Sequence, residues 1–122
     1  ITTSSSPNDW RSPRNDNLWQ GVDGVNNPCP VGYRLPTESE WDAERTSWSS
    51  NSSGAYSSPL KLPVAGFRDD DDGSLSLVGS FGYYWSSSVV GTSASYLFFF
   101  SSNALMNSDN RAYGYSVRCR ED

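Results

Sequence analysis

The sequence predicts a single domain of the α+β class over residues 1–122. One helix signal lies early, at residues 37–48, and several short strand-like segments follow after residue 60. Clusters of Gly, Ser and Asn separate these segments, as turns do between short strands. An early helix followed by a run of strands is typical of α+β domains. The 122 residues are enough for one hydrophobic core, and five Trp, seven Tyr and five Phe are present to fill it.

The helix is the most clearly marked element. Thr37 and Glu40 directly follow Pro36 and have the spacing of a capping box, in which two side chains accept free amide protons of the first helical turn. Trp41 and Trp48 lie seven residues apart and share one face of the predicted helix. We therefore expect an amphipathic helix that rests on the core through these two side chains.

The segments around the helix are predicted to be loops and short strands. Residues 1–16 are rich in Ser, Pro and Asn and are interpreted as an N-terminal arm, and residues 17–21 are compatible with a short strand. Residues 49–59 have low complexity and predict a loop, residues 60–68 alternate like a strand, and residues 69–73 predict a turn. The later strand-like segments are residues 75–90, 95–102 and 113–120.

Charge and composition exclude several classes of function. The net charge is −5, the isoelectric point is near 4.5 and the nine Lys and Arg residues are scattered, so we expect no nucleic-acid partner. The chain has no His, which excludes Ser-His-Asp and Cys-His catalytic systems and the commonest zinc ligand. No run of 18 apolar residues exists, so we expect no membrane insertion. Ile1 opens a Thr- and Ser-rich stretch without the features of a signal peptide, which is compatible with a start inside a longer protein.

The chain has two cysteines, Cys29 and Cys119, near its opposite ends. A disulfide between them would close almost the whole domain into one loop. In the loop-entropy model such a bond stabilises by about 4–5 kcal/mol. Two reduced cysteines in the core are the alternative, and the sequence leaves both open.

The acidic residues do not indicate a catalytic or metal site. The four carboxylates Asp69–Asp72 are of the kind that Ca²⁺ binds, but they lack the alternating spacing of a calcium loop and predict a solvated turn. Four more carboxylates have the spacing of an exposed helix surface: Glu38, Glu40, Asp42 and Glu44. The cysteines lack the Cys-x-x-Cys spacing of a redox site. We therefore expect no catalytic residue, no metal and no cofactor, and a protein that is not an enzyme.

The stretch SYLFFF at residues 95–100 is apolar on both faces of a strand. One face carries Tyr96, Phe98 and Phe100, and the other carries Leu97 and Phe99. If the first three side chains were exposed, they would present about 450–700 Å² and mark a binding surface. The alternative is a central strand covered on both sides. Periodicity favours the first three side chains as the core face, because Ser95 and Ser101 lie on the other one.

Three ordered motifs resemble a known domain family. CPVGYRLPTESEW (residues 29–41), GSLSLVGSFGYYWSSS (residues 73–88) and RAYGYSVRC (residues 111–119) are similar to the Fibrobacter succinogenes major paralogous domain, and especially to the variable proteins of diversity-generating retroelements. The similarity runs from about residue 17 to the C-terminus. It implies a C-type-lectin fold of the formylglycine-generating-enzyme type, with a small mixed sheet, one or two helices and terminal segments that lie close together. Such closeness agrees with pairing or packing of the two cysteines.

The resemblance also implies a variable region at about residues 83–113. In that family a C-terminal segment is rewritten at the adenines of a template, often at AAC or AAT codons. Changes at the first two bases of these codons never reach Trp, Met, Lys, Glu or Gln, so we expect Trp85 and Met106 to be constant. Leu97 and Phe99 match the constant motif and are implied to face the core, which is the opposite of what periodicity favours. The other matching positions are Ser86, Ser87, Ser102, Asn103, Arg111, Gly114 and residues 116–119.

Twelve side chains in this region are reachable from such codons and flank the motif residues. The implied ligand-binding residues are Tyr83, Val90, Ser93, Ser95, Tyr96, Phe98, Phe100, Leu105, Asn107, Ser108, Asp109 and Tyr113. We expect most of them to be solvent-exposed on one contiguous surface. Their aromatic members Tyr96, Phe98, Phe100 and Tyr113 are expected to be the energetic centre, because binding energy concentrates in a few aromatic anchors.

The function implied is recognition of a ligand by a diversified surface on a constant scaffold, comparable to antibody loops on their sandwich. The expected partner is an unidentified protein or surface polymer, met at a virion or cell surface, because a flat strand-borne patch lacks the concavity that small ligands need. Calcium-dependent sugar binding is not supported, since the chain has no Glu-Pro-Asn or Trp-Asn-Asp triplet. Formylglycine-generating activity is not supported either, since Cys119 is the sole cysteine of the C-terminal half. The alternative is a structural module of a surface or adhesin protein with a fixed sequence.

Overall fold

The fold is α+β, as predicted. The computed structural model describes residues 3, 5–48 and 51–122. These residues contain two helices, α1 (Glu38–Thr46) and α2 (Ser52–Ser57), and three small antiparallel sheets ordered β1–β7, β2–β3 and β4–β5–β6. The strands are β1 (Tyr33–Arg34), β2 (Phe67–Arg68), β3 (Leu75–Ser76), β4 (Gly82–Val90), β5 (Ser93–Phe99), β6 (Ala104–Asn110) and β7 (Arg120–Glu121). Neither helix in the described part of the chain has the length and apolar character needed to cross a membrane.

The β4–β5–β6 sheet organises the domain. β5 lies in the middle and is paired along both edges. The register aligns Tyr84, Leu97 and Met106 on one face, and Tyr83, Phe98 and Leu105 on the other. Strand β6 was not predicted, because its sequence ALMNSDN is mostly polar. It is the outer strand of this sheet, where side chains meet solvent and few of them need to be apolar.

One face of this sheet, here called the helix face, packs against the helices. Its core consists of Trp41, Ala55, Leu62, Tyr84, Leu97, Phe99 and Ala104. Leu97 and Phe99 are fully buried there, as the resemblance implied. Gly82 lies directly under the Phe99 ring, and a Cβ at this position would come within 2.2 Å of a ring atom. Glycine is therefore required at residue 82 for the ring to sit on the strand.

Helix α1 begins where the capping box predicts. The Thr37 side chain accepts a hydrogen bond from the Glu40 amide at 3.3 Å, and the Glu40 carboxylate accepts one from the Thr37 amide at 2.9 Å. Trp41 is buried on the helix face and donates its indole N–H to the carbonyl of Trp85 at 3.2 Å. Glu40 also pairs with Arg34 at 2.7 Å, and the hydrogen bonds from that guanidinium lower the pKa of Glu40 to about 2. This carboxylate therefore holds the start of the helix in place.

The two ends of the domain meet in the β1–β7 pair and in a disulfide. Arg34 of β1 lies opposite Arg120 of β7, and both guanidinium groups bind the carboxylate of Glu40. Cys29 and Cys119 are joined by a disulfide with a Cα–Cα distance of 5.8 Å. Of the two alternatives that the sequence left open, the reduced pair is wrong.

The prediction of a loop at residues 49–59 is wrong for residues 52–57, which form helix α2. Residues 49 and 50 lie outside the described residues, and α2 follows them. Asn51 caps this helix by accepting a hydrogen bond from the Gly54 amide at 2.8 Å. Ala55 is completely buried in the core of the helix face. A Ser-rich segment thus becomes helical because one small apolar residue docks against the core, which local composition does not reveal.

Three predicted strands are shorter than expected or absent. Residues 17–21 form no strand, and Leu18 makes one isolated bridge with Val25. Of residues 60–68 only β2 is a strand, since Lys61 adopts φ 52° and Gly66 adopts φ 69°, which break the extended backbone. Residues 113–120 pair with β4 and β2 through single bridges and are otherwise irregular before β7.

Candidate ligand-binding surface

The second face of the β4–β5–β6 sheet, here called the aromatic face, carries a continuous cluster of aromatic rings. Its members are Phe67, Phe81, Tyr83, Trp85, Tyr96, Phe98, Phe100, Tyr113 and Tyr115. Every ring has at least one neighbour at a centroid distance between 4.3 and 5.6 Å. Offset and edge-to-face ring pairs at such distances stabilise beyond the area that they bury.

Alternation along β4 and β5 places the central rings of this face. Tyr83 is paired with Phe98, and Trp85 is paired with Tyr96, so four aromatic side chains form two adjacent cross-strand pairs. Tyr83 and Phe98 have their ring centroids 5.1 Å apart. The motif GYYW therefore contributes side chains to both faces of the sheet. Tyr83 and Trp85 lie on the aromatic face, and Tyr84 lies on the helix face.

The C-terminal segment adds two more rings from the outer edge of β4. The Trp85 amide donates to the carbonyl of Ser116, and the Ser116 amide donates to the carbonyl of Tyr83, each at 3.0 Å. This pairing places Tyr115 between the sheet's rings, with centroid distances of 4.3 Å to Trp85 and 5.0 Å to Tyr83. Tyr113 stacks on Tyr115 at 5.6 Å. The alternation Tyr-Gly-Tyr at residues 113–115 was the sequence signal for this contribution.

The rings shield one another, so the expectation that most of the twelve implied residues are solvent-exposed is wrong. Tyr83, Ser95 and Tyr96 are buried, with 9%, 2% and 5% of their surface exposed. Phe98, Phe100 and Tyr113 are half-buried. The physical reason is that Tyr115 and its neighbours cover Tyr83 and Tyr96, so β5 is a central strand with packing on both faces.

The structure brings eight of the twelve residues together and separates the other four. The eight on or beside the aromatic face are Tyr83, Tyr96, Phe98, Phe100, Leu105, Asn107, Asp109 and Tyr113. The four on the opposite side by strand register are Val90, Ser93, Ser95 and Ser108. Ser95 is the clearest case, because its side chain binds that of Ser86 inside the core. The expectation of one contiguous twelve-residue surface is corrected to these eight residues.

Sequence reasoning missed four aromatic members of the face. Trp85 was assigned to the constant motif, while Phe67, Phe81 and Tyr115 were not assigned to the site at all. Tyr115 is the most connected of them, because it contacts rings from β4, β5 and its own segment. Its approach depends on the pairing of residue 116 with β4, a long-range contact that the Tyr-Gly-Tyr alternation does not by itself predict.

The hydroxyl groups on this face are neutral donors and acceptors. Burial raises the pKa of Tyr115, and burial together with the charge of Asp109 raises the pKa of Tyr96 to about 12. Burial also raises the pKa of Tyr83 and, with the charges of nearby carboxylates, that of Tyr113. The face therefore carries uncharged phenols beside the carboxylates of Asp109, Asp69 and Asp70 at neutral pH, which suits contact rather than acid–base chemistry.

The predicted Asp-rich turn packs beside the aromatic face. Asp70 is buried and accepts a hydrogen bond from the side chain of Asn110 at 3.3 Å. Asp69 and Asp72 each accept a backbone amide two residues further on, at 2.9 Å. In the described ranges no group of three or more His, Cys, Asp or Glu side chains is placed to hold a metal ion. The turn's carboxylates thus mainly satisfy backbone amides and one neighbouring side chain.

Arg111, a residue of the constant motif, ties the N-terminal arm to the sheet. It binds Asp16 at 2.8 Å and lies 3.9 Å from Asp9, and it donates to the carbonyl groups of Ser93 and Gly91. Only 9% of its side chain is exposed. The predicted arm is therefore packed against the β4–β5 hairpin.

Comparisons of the chain with protein-family models, with characterised proteins and with solved structures found no match.

Proposed function

We propose that this protein is a ligand-binding protein that recognises a partner through the aromatic face. One observation carries the proposal: nine aromatic side chains lie on one face of the central sheet, and neither helix contributes a residue to that cluster. The helix face, in contrast, packs against both α1 and α2. Aromatic surfaces of this kind supply large and rigid contact areas at low entropy cost.

The face divides into a base and an outer layer. Tyr83, Trp85 and Tyr96 form the base, since they are buried among the other rings. The outer layer consists of Phe98, Phe100, Leu105, Asn107 and Tyr113, which are half-buried or exposed. In a complex the outer layer contacts the partner, and packing against the base holds the rings of the outer layer in place.

The proposed partner is a protein or a surface polymer. The outer layer is spread over β5, β6 and the C-terminal segment, so it offers an extended surface rather than a closed pocket. The resemblance to retroelement variable proteins supports diversification of this layer on a constant C-type-lectin scaffold of the formylglycine-generating-enzyme type. Under this proposal the protein binds at a virion or cell surface and is not an enzyme.

A specific observation favours a second candidate, the structural module of a surface or adhesin protein with a fixed sequence. Tyr83, Ser95 and Tyr96 are buried, and random replacement of buried residues usually destabilises a domain. If the protein is diversified, variation is therefore confined to the outer layer. A reverse-transcriptase gene beside a near-copy of the coding sequence for about residues 83–113 would separate the two candidates.

The direct test is a pair of matched libraries. One randomises Phe98, Phe100, Leu105 and Asn107 on the aromatic face, and the control randomises Leu97, Phe99, Ala104 and Met106 on the helix face. Both are displayed on yeast and sorted for resistance to protease. The proposal expects most members of the first library to stay folded, few of the second to do so, and binders to arbitrary protein targets to emerge from the first. Equal loss of folding in both libraries would favour the fixed module.

A further inference from the structure

A cleft of about 290 Å³ lies between the N-terminal arm and the sheet. Its aromatic walls are Trp10 from the arm, Trp19 from the segment after it, and Trp85, Tyr113 and Tyr115 from the edge of the aromatic face. The rings of Trp10 and Trp19 stand 6.4 Å apart at an angle of 31°. This volume is near the lower end of the range of small-ligand sites, so the cleft is distinct in scale from the extended outer layer.

Asp9 lines this cleft, and one of its two carboxylate oxygens accepts no hydrogen bond from a described residue. Only 5% of its side chain is exposed. Its Oδ1 accepts a hydrogen bond from the Arg11 amide at 2.9 Å. Its Oδ2 is buried and accepts no hydrogen bond from any described residue. A buried acceptor of this kind is costly unless a donor reaches it.

The nearest cation does not supply that donor. The Nη1 atom of Arg111 lies 3.9 Å from Oδ2 of Asp9, beyond hydrogen-bond distance, and binds Asp16 at 2.8 Å. The remaining nitrogens of Arg111 donate to the carbonyl groups of Ser93 and Gly91. The side chain of Arg11, the other cation lining the cleft, donates to the carbonyl of Pro13. Both arginines are thus held by other acceptors.

The charges around the cleft favour a positively charged ligand. The two carboxylates that line it, Asp9 and Asp16, balance the two guanidinium groups in formal charge. The phenol of Tyr115, a wall of the cleft, donates a hydrogen bond to Asp109 at 3.0 Å, which places a third carboxylate beside the cleft. An anion would meet this acidic side and the unsatisfied carboxylate, whereas a cation would meet aromatic faces and a free acceptor.

We propose that this cleft binds a primary alkylammonium group, with the ammonium donating to Oδ2 of Asp9 and the alkyl chain lying against the indoles of Trp10 and Trp19. Ammonium groups over indole faces are attracted by the ring quadrupole, and the same rings bury the methylene groups. Two kinds of ligand carry a primary alkylammonium group: a free amine, and the side chain of a Lys in a partner protein. The proposal does not depend on the function of the aromatic face.

The test follows the indole N–H resonances of the intact chain by NMR during titration with n-butylammonium chloride. We expect saturable shifts of indole resonances, with a dissociation constant of about 1–10 mM for so small a ligand. The matched ligand is n-butanol, which has the same length and no charge, and we expect it to bind at least about tenfold more weakly. Equal binding of n-butanol would overturn the proposal, because the cleft would then be an apolar pocket only.

Two variants complete the test. Asp9→Asn should weaken n-butylammonium binding about tenfold or more, while Asp23→Asn, an exposed carboxylate outside the cleft lining, should leave it unchanged. If Asp9→Asn alters the ligand-free spectrum, Trp19→Leu serves in its place, since it keeps the carboxylate and removes one wall. Wild-type affinity in whichever variant keeps its remaining indole resonances at their native positions would overturn the proposal. N-acetyl-lysine amide binding as tightly as n-butylammonium assigns the site to a Lys side chain, and weaker binding assigns it to a free amine.

Discussion

The phenol of Tyr115 donates a hydrogen bond to Oδ2 of Asp109 at 3.0 Å. This bond joins the C-terminal segment to β6, across strands β4 and β5 that lie between them in the sheet. Asp109 belongs to the variable region implied by the resemblance, whereas Tyr115 lies just outside it. The contact therefore joins a position expected to vary to a position outside the implied variable region.

Replacement of Tyr115 by Phe should destabilise the domain by about 1–2 kcal/mol, because the ring stays in place while the bond to a carboxylate is lost. Tyr113→Phe is the matched control, since the Tyr113 hydroxyl makes no hydrogen bond with a described residue, and it should change stability by less than about 0.5 kcal/mol. Urea denaturation followed by tryptophan fluorescence measures both. Equal effects of the two variants would show that the bond to Asp109 contributes nothing.

Alanine substitutions in β5 and just past its end should separate two levels of cost in the free energy of unfolding. Leu97→Ala and Phe99→Ala should destabilise by about 2–5 kcal/mol, as truncations in a closed core do. Tyr96→Ala should cost about as much, because Tyr96 is also buried, in contrast to what the resemblance implied. Phe100→Ala should cost less than about 1.5 kcal/mol, since this half-buried ring lies just past the strand end.

Denaturant midpoints of these four variants provide the measurement. Phe100→Ala is the internal control for loss of an aromatic ring without loss of core packing. If Tyr96→Ala were as mild as Phe100→Ala, the base of the aromatic face would be loosely packed. The division of this face into a base and an outer layer would then be wrong.

Removal of the disulfide should destabilise the domain by about 4–5 kcal/mol in the loop-entropy model, because Cys29 and Cys119 are 90 residues apart in sequence. The double variant Cys29→Ala, Cys119→Ala should therefore show a large fall in its urea midpoint. The urea midpoint of the wild-type protein with and without dithiothreitol provides a second measurement of the contribution of the disulfide. A double variant as stable as the oxidised wild type would mean that β1–β7 pairing and the Glu40 ion pairs alone hold the two ends together.

Stability should fall in acid through the titration of Glu40. The pKa of this carboxyl is lowered from 4.5 to about 2, chiefly by hydrogen bonds from the guanidinium of Arg34. A lowered pKa means that the unfolded chain binds the proton more tightly than the native state. The stabilisation, at most about 3 kcal/mol, is therefore complete above about pH 4.5 and is lost as the pH falls towards about 2.

Glu40→Gln should remove this part of the pH dependence, whereas Glu38→Gln, an exposed residue of the same helical turn, should retain it. Urea midpoints measured between pH 2 and pH 6 make the comparison. The difference in stability between wild type and Glu40→Gln should be largest at the upper end of this range. A difference independent of pH would exclude the ion pair with Arg34 as its cause.

Several elements were predictable because their causes are local or periodic. The start of α1 follows from the capping box of Thr37 and Glu40, whose partners lie within one helical turn. The turn at Asp69–Asp72 follows from short carboxylates that accept nearby amides. Strand β5 follows from its run of aromatic residues, and the resemblance correctly implied that Leu97 and Phe99 face the core. The α+β class could be predicted from the order of the predicted helix and strands alone.

The tertiary structure alone decided which surfaces are covered. Period-two alternation assigns side chains to two faces of a strand, but it does not say what lies over either face. Tyr96 is buried because Tyr115 reaches it from a segment that pairs with β4, and α2 forms because Ala55 docks on the helix face. The cleft beside Asp9 exists because Arg111 contacts Asp9 and Asp16 and so holds the arm against the sheet. Burial is set by contacts between residues far apart in the sequence, so local patterns predicted the elements of this protein but not the exposure of its candidate binding surface.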